Sequence, residues 1–141
     1  MPESSSARAA AVSLLSRYYE AFNAGDHPGM LSLLTSDVAH DANQGARETG
    51  KDRFAAFLAR MDRCYSEQLE DLVIFADETG TRAAAEFIVV GTYCGTDDGL
   101  PPATGQTYRL PAGAFFTLRD GHIARVTMYY NLTDWLRQVG S

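Results

Sequence analysis

His40 and Asp41 stand side by side in the run 38–43, and an imidazole next to a carboxylate is the best-equipped pair in the chain for moving a proton. A carboxylate at the mouth of an apolar cavity has a raised pKa, because burial disfavours the charged form, and it can accept a substrate proton near neutral pH. Neighbours on a regular strand point to opposite faces. Either His40 or Asp41 therefore faces a cavity, not both, and the sequence leaves open which. The competing role for the pair is a surface strand hydrogen-bonded to the following loop. Tyr18 lies on an apolar helical stripe. A phenol there either donates to a carbonyl or enolate oxygen, where positioned donors count most, or packs with its hydroxyl satisfied. Tyr18, Asp41 and His40 are the candidate catalytic residues. Phe57, Tyr93, Tyr108, Met128, Tyr130, Asn131 and Trp135 are the candidate walls of a substrate pocket, with plain core packing as the alternative for each.

Other chemistries lack their residues. The histidines His27, His40 and His122 fall on a helix start, a strand and a turn without metal-ligand spacing. No glycine-rich phosphate loop leads into a helix, and no serine nucleophile elbow is present. No cofactor or metal is expected. Cys64 and Cys94 stand in separate segments, which reads as two reduced structural thiols. A net charge of −6 and a pI near 4.9 argue against nucleic acid or an anionic membrane surface as partners, since both are bound through clustered Lys and Arg. No apolar stretch approaches the ~20 residues of a membrane span, and the N-terminus lacks a secretory pattern. A cytoplasmic, soluble protein is expected.

The candidate residues need elements to position them. At 141 residues and 45% hydrophobic, the chain matches one domain that buries about two thirds of its unfolded surface. Residues 1–6 form a polar, Ser-rich stretch expected to be disordered, leaving 7–141 as the domain. From Ala7, apolar residues at Val12, Leu15, Tyr19 and Phe22 make a helical stripe that Gly25 stops. Asp26 and Pro28 open a second helix ending near Thr35. A short strand is expected over 38–43, a polar loop over 44–49, and a third helix over 51–67 with Phe54, Phe57, Leu58, Met61 and Tyr65 inward. Residues 68–76 and 82–94 form a hairpin, and a long loop over 95–105 leads to a second hairpin. That one pairs 106–118 with 122–130 across Arg119-Asp120-Gly121, and an amphipathic segment closes the chain. Ala124, Val126, Met128 and Tyr130 share one face of the last strand; Arg125, Thr127 and Tyr129 share the other. Glu86 and Arg125 are expected to pair on the outer surface. Helices first and strands afterwards predict an α+β domain, with helices on one face of a mostly antiparallel sheet and a small-molecule cavity between.

The run Arg17-Tyr18-Tyr19-Glu20-Ala21-Phe22-Asn23-Ala24-Gly25-Asp26, followed by Leu33-Leu34-Thr35-Ser36-Asp37-Val38, resembles the opening of the nuclear transport factor 2-like superfamily. Within it the chain is similar to ketosteroid isomerases and SnoaL-like polyketide cyclases. The stretches 105–113 and 126–132 look like the subgroup of ketosteroid isomerase-related proteins. The resemblance covers about residues 7–138 and implies a cystatin-like cone: three helices over a strongly bent sheet, a pocket inside, and an outer sheet face used for homodimers. It implies a small hydrophobic carbonyl compound as ligand, isomerised or cyclised without a cofactor. In ketosteroid isomerases an Asp moves the proton beside the carbonyl, while a Tyr and a protonated Asp stabilise the enolate oxygen. The Tyr falls on Tyr18. The base falls on Ala42 without gaps, or on Asp41 if one residue is missing upstream. The protonated Asp falls on Gly113, which has no side chain. That gap favours a non-catalytic ligand-binding or structural member as the alternative.

Overall fold

In the computed structural model, residues 2–42 and 45–140 are described; Met1, Asn43, Gln44, Ser141 and the side chains of residues 2–5 lie outside the described set. The first helix, α1 (Pro2–Ala24), starts ahead of the expected Ala7, so the backbone is helical through most of the stretch expected to be a disordered tail. It buries Ala11, Leu14, Leu15, Tyr18 and Tyr19 at helical spacing. Gly25 ends it at φ +70°, where glycine carries no Cβ penalty. The Asp26 and Gly25 N–H groups then return to Ala21 O at 2.8 Å and Phe22 O at 3.0 Å, the paired bonds of a Schellman stop. Asp26 caps α2 (His27–Ser32) by accepting from Gly29 N at 2.9 Å.

Helix α2 stops three residues short of the expected Thr35, because β1 (Leu34–Asp41) is claimed by the sheet: Leu34 pairs with Ile123, and Ile123 N donates to Leu33 O at 2.8 Å. The expected strand end at Asn43 lies outside the described residues. A two-residue strand, β2 (Glu48–Thr49), occupies the end of the expected loop. Helix α3 (Lys51–Cys64) follows, and β3 (Tyr65–Ala76) begins directly after it. The helix expected through Glu67 is thus three residues too long. Pairing of Tyr65, Ser66 and Glu67 with Tyr93, Thr92 and Gly91 overrides their helical propensity.

The remaining elements are β4 (Arg82–Tyr93), β5 (Gln106–Arg119), β6 (His122–Tyr130) and α4 (Leu132–Val139). Asp120 and Gly121, both at positive φ, make the tight turn between β5 and β6. The sheet runs β2-β1-β6-β5-β4-β3, antiparallel except for β1 beside β6. This is the expected α+β architecture, with the closing amphipathic segment forming a fourth short helix. The core lies on the concave side, where Phe87, Val89, Tyr108, Leu110, Phe116 and Val126 meet α1 and α3. In β3 the ladder slips by one residue between Glu70 and Val73, with Asp71 at φ +56°. This bulge gives β3 one more residue than β4 over the same span. Tyr65, Glu67 and Leu69 face the core before it, whereas Val73 and Phe75 are exposed after it. No described helix is long and apolar enough to cross a membrane.

Candidate functional site

The helices and the concave sheet enclose a cavity of about 830 Å³, within the roughly 300–1,000 Å³ range of small-molecule sites. Its walls are mostly apolar: Phe22 from α1, Phe54, Phe57, Leu58 and Met61 from α3, Phe87 and Val89 from β4, Leu110 from β5, Val126 and Met128 from β6, and Trp135 from α4. Polar groups gather in two places.

The first is built by α1 and β1. Tyr18 and Tyr19 both line the cavity, ring centroids 5.2 Å apart, with Tyr18 edge-on to Phe116 and Tyr19 tilted against Phe87. Neither hydroxyl has a hydrogen-bond partner among the described residues. Burial pushes both phenols up, that of Tyr19 further through the neighbouring Tyr18, so both remain neutral donors. His40 reaches the same cavity, 4.8 Å from the Phe54 ring and 4.4 Å from the Phe57 ring. Burial lowers its pKa, which favours the neutral imidazole.

Strand parity settles which member of the His40–Asp41 pair faces inward. His40 stands in register with Val126 and Asp41 with Thr127. Asp41 consequently lies on the convex side, not at the cavity as expected of a catalytic carboxylate. There it accepts two bonds from Arg47, at 2.7 and 2.8 Å, and one from the Thr127 hydroxyl at 2.7 Å. The Arg47 guanidinium, opposed only in part by burial, brings its pKa down to about 2, the opposite of the shift a proton acceptor needs. Arg125 donates to Thr117 and Thr127 at 2.9 and 2.6 Å and does not form the expected pair with Glu86. Ala42 lines the cavity but carries no acid. Gly113 stands in register between the exposed Glu86 and Tyr129, so an acid there would point away from the cavity.

The second polar group is one the sequence reasoning missed. Glu67, read as the last residue of a helix, lies on β3 and lines the cavity, where it accepts a short hydrogen bond from the Tyr108 hydroxyl. Burial raises its pKa, and the Tyr108 bond opposes that only in part. Nearby, Tyr65 donates to Asp97 at 2.8 Å, and Arg60 from α3 approaches Asp97 at 3.5 Å. Tyr130 lines the same region. The readable signal was the alternation Tyr65, Glu67, Leu69, which fits a strand facing a core as well as a helix end.

Of the expected pocket walls, Phe57, Tyr108, Met128, Tyr130 and Trp135 line the cavity. Tyr93 does not. Fully buried, it stacks on Tyr65 at 5.5 Å, donates to Pro101 O at 2.6 Å and accepts from Asp97 N at 3.0 Å. It therefore buttresses the 95–105 loop. Asn131 is likewise a helix cap, accepting from Asp134 N at 3.0 Å, because an exposed Asn before α4 satisfies an orphan N–H. Both cysteines are free, Cys64 buried and Cys94 exposed.

A family model described as SnoaL-like domain matches residues 15–126. The crystal structure of a candidate polyketide cyclase from Pseudomonas putida is 60% identical, covers 92% of this chain and 97% of its own, and superposes with a TM-score of 0.91. Another candidate polyketide cyclase, from Xanthomonas campestris, is 57% identical over 94% of this chain and 98% of its own, with a TM-score of 0.91. A nuclear transport factor 2-like protein from Burkholderia xenovorans, 16% identical over 94% of this chain and 97% of its own, shares the fold with a TM-score of 0.74. None of the curated proteins matches the chain.

Proposed function

The chain belongs to the SnoaL-like family, and from that we propose that its cavity binds a small, largely apolar carbonyl compound and moves a proton on it without a cofactor, as an isomerase or polyketide cyclase does. One observation carries this reading: the phenols of Tyr18 and Tyr19 face an apolar cavity with no bond from any described residue. A buried hydroxyl left unpaired costs about 1–3 kcal/mol, so the two hydroxyls form a seat for an acceptor oxygen brought in by water or ligand. The designation of relatives as candidate polyketide cyclases at 60% and 57% identity agrees with an oxygenated, ring-forming substrate.

Tyr18→Phe tests the reading. It is expected to weaken ketone ligands about fivefold to tenfold, the worth of one net hydrogen bond near 1 kcal/mol, while hydrocarbons of the same shape bind unchanged by calorimetry. Equal losses for both classes would sink it. A non-catalytic binding protein is the second reading, favoured by Ala42 and Gly113 standing where the family's acids align and by the outward-facing Asp41. It predicts binding without turnover.

A further inference from the structure

Of the carboxylates lining the cavity, Asp62, Glu67, Asp97 and Asp98, the pair Glu67 and Asp97 stand in sharply different surroundings. Asp97 is held in place: it accepts from Tyr65 at 2.8 Å and from Asp98 N at 3.1 Å, and has Arg60 at 3.5 Å. Glu67 accepts a side-chain bond from Tyr108 alone and has no cation within ion-pair distance among the described residues. Where two carboxylates differ this much in compensation, the poorly compensated one is the better proton carrier.

The seat of Glu67 is built for that one bond. Gly91 lies opposite Glu67 on one side and Tyr108 on the other. A Cβ at Gly91 would stand 2.5 Å from the Tyr108 hydroxyl and closer still to its Cζ, so only glycine lets the Tyr108 ring cross β4 to the carboxylate. Tyr130, on β6, feels both Glu67 and Asp97, and its hydroxyl has no hydrogen-bond partner among the described residues.

We propose that Glu67 is the proton-transfer group of this cavity, positioned by Tyr108, with the Tyr130 hydroxyl donating to the developing enolate oxygen. The proposal rests on the reading of the cavity as the site of a carbonyl compound. In the first step a C–H bond beside the carbonyl breaks and a Glu67 O–H bond forms; the electron pair becomes a carbon–carbon double bond and the carbonyl oxygen an enolate. Return of the proton to a conjugated carbon restores a carbonyl and leaves Glu67 ionised as it began. Nothing is oxidised or reduced. Burial favours the protonated state that the step creates. Neither Asp41 nor position 113 takes part.

The test uses the full chain and 2-tetralone, a bicyclic ketone with exchangeable protons beside its carbonyl. Proton exchange in D2O, followed by NMR, is expected to run faster with wild-type protein than in buffer and to fall roughly hundredfold or more in Glu67→Gln. Affinity for 2-tetralone should stay within about threefold, since the step is removed and the cavity is not. Tyr18→Phe is expected to change affinity. Wild-type exchange rates in Glu67→Gln, or no acceleration by wild-type protein that binds 2-tetralone, would overturn the proposal.

Titration of 13C-labelled glutamate carboxyls tests the same group without a ligand. Tyr108 from β5 acts on Glu67 directly through its hydrogen bond, Tyr130 from β6 feels the Glu67 charge, and Tyr65, Arg60, Asp62, Asp97 and Asp98 are the other titratable or charged groups lining this part of the cavity. Glu67 is expected to titrate above the ordinary 4.5 and higher still in Tyr108→Phe, which removes the bond favouring its ionised form. An ordinary value in the wild type overturns the proposal even if 2-tetralone fails to bind, in which case the binding reading has failed separately for that ketone.

Discussion

Asp41 is tied to Arg47 and Thr127, and those bonds couple its ionisation to stability. Its carboxyl titrates near 3.8 when unperturbed and at about 2 in the fold. The stabilisation is therefore present above about pH 4 and lost as pH falls through 2. Asp41→Asn is expected to cost about 1 kcal/mol at pH 7, discounted because Arg47 is half exposed. The gap between variant and wild type should close between pH 4 and 2 in urea unfolding, with ligand binding unchanged. A loss of binding at neutral pH with an intact fold would return Asp41 to the site. His40 and Asp41 show where sequence reading stops: alternation says that one faces inward, but the choice depends on pairing with Val126 and Thr127, some 86 residues away for the Asp41–Thr127 bond. Tyr18 was legible because a helical stripe has one inward face whatever the distant partners.

At the level of elements, boundaries set by local chemistry were readable and those set by pairing were not. The β5–β6 hairpin followed from Asp120-Gly121, and the end of α1 from Gly25. The end of α3 did not, since Ser66 to Glu70 suits a helix until β4 offers it a ladder, and that hid Glu67. Asn131, expected as a pocket wall, is instead the cap of α4, because an Asn directly before a helix satisfies an orphan N–H there. Gly91→Ala tests the crossing of Tyr108 over β4. The added methyl is expected to displace the ring, lower stability by about 1–3 kcal/mol, and move the Glu67 carboxyl resonance as Tyr108→Phe does. A variant with unchanged stability and an unchanged Glu67 titration would show that the ring reaches the carboxylate by another route.

Over the whole molecule, the convex sheet face leaves Val73, Phe75, Phe115 and Tyr129 at 42%, 52%, 50% and 52% exposure, with the Phe115 and Tyr129 rings 5.7 Å apart edge to face. Apolar groups clustered on one face mark an association surface more often than scattered ones do. We propose that two copies of the chain meet there. Sedimentation should give twice the 15.4 kDa chain mass at micromolar concentration, and Phe115→Asp should return it to a single chain with the cavity intact. A wild-type monomer under those conditions would refute the dimer. The extra residue near Asp71 links this face to the cavity. Removing one codon there would delete the bulge and restore strict alternation with Glu67 still inward and Phe75 still outward, because the extra residue is what carries the change of parity. Loss of one residue at the bulge is therefore neutral for the inner chamber, whereas a one-residue change elsewhere in β3, with no bulge to absorb it, turns one half of the strand over and trades Glu67 or Phe75 between chamber and solvent.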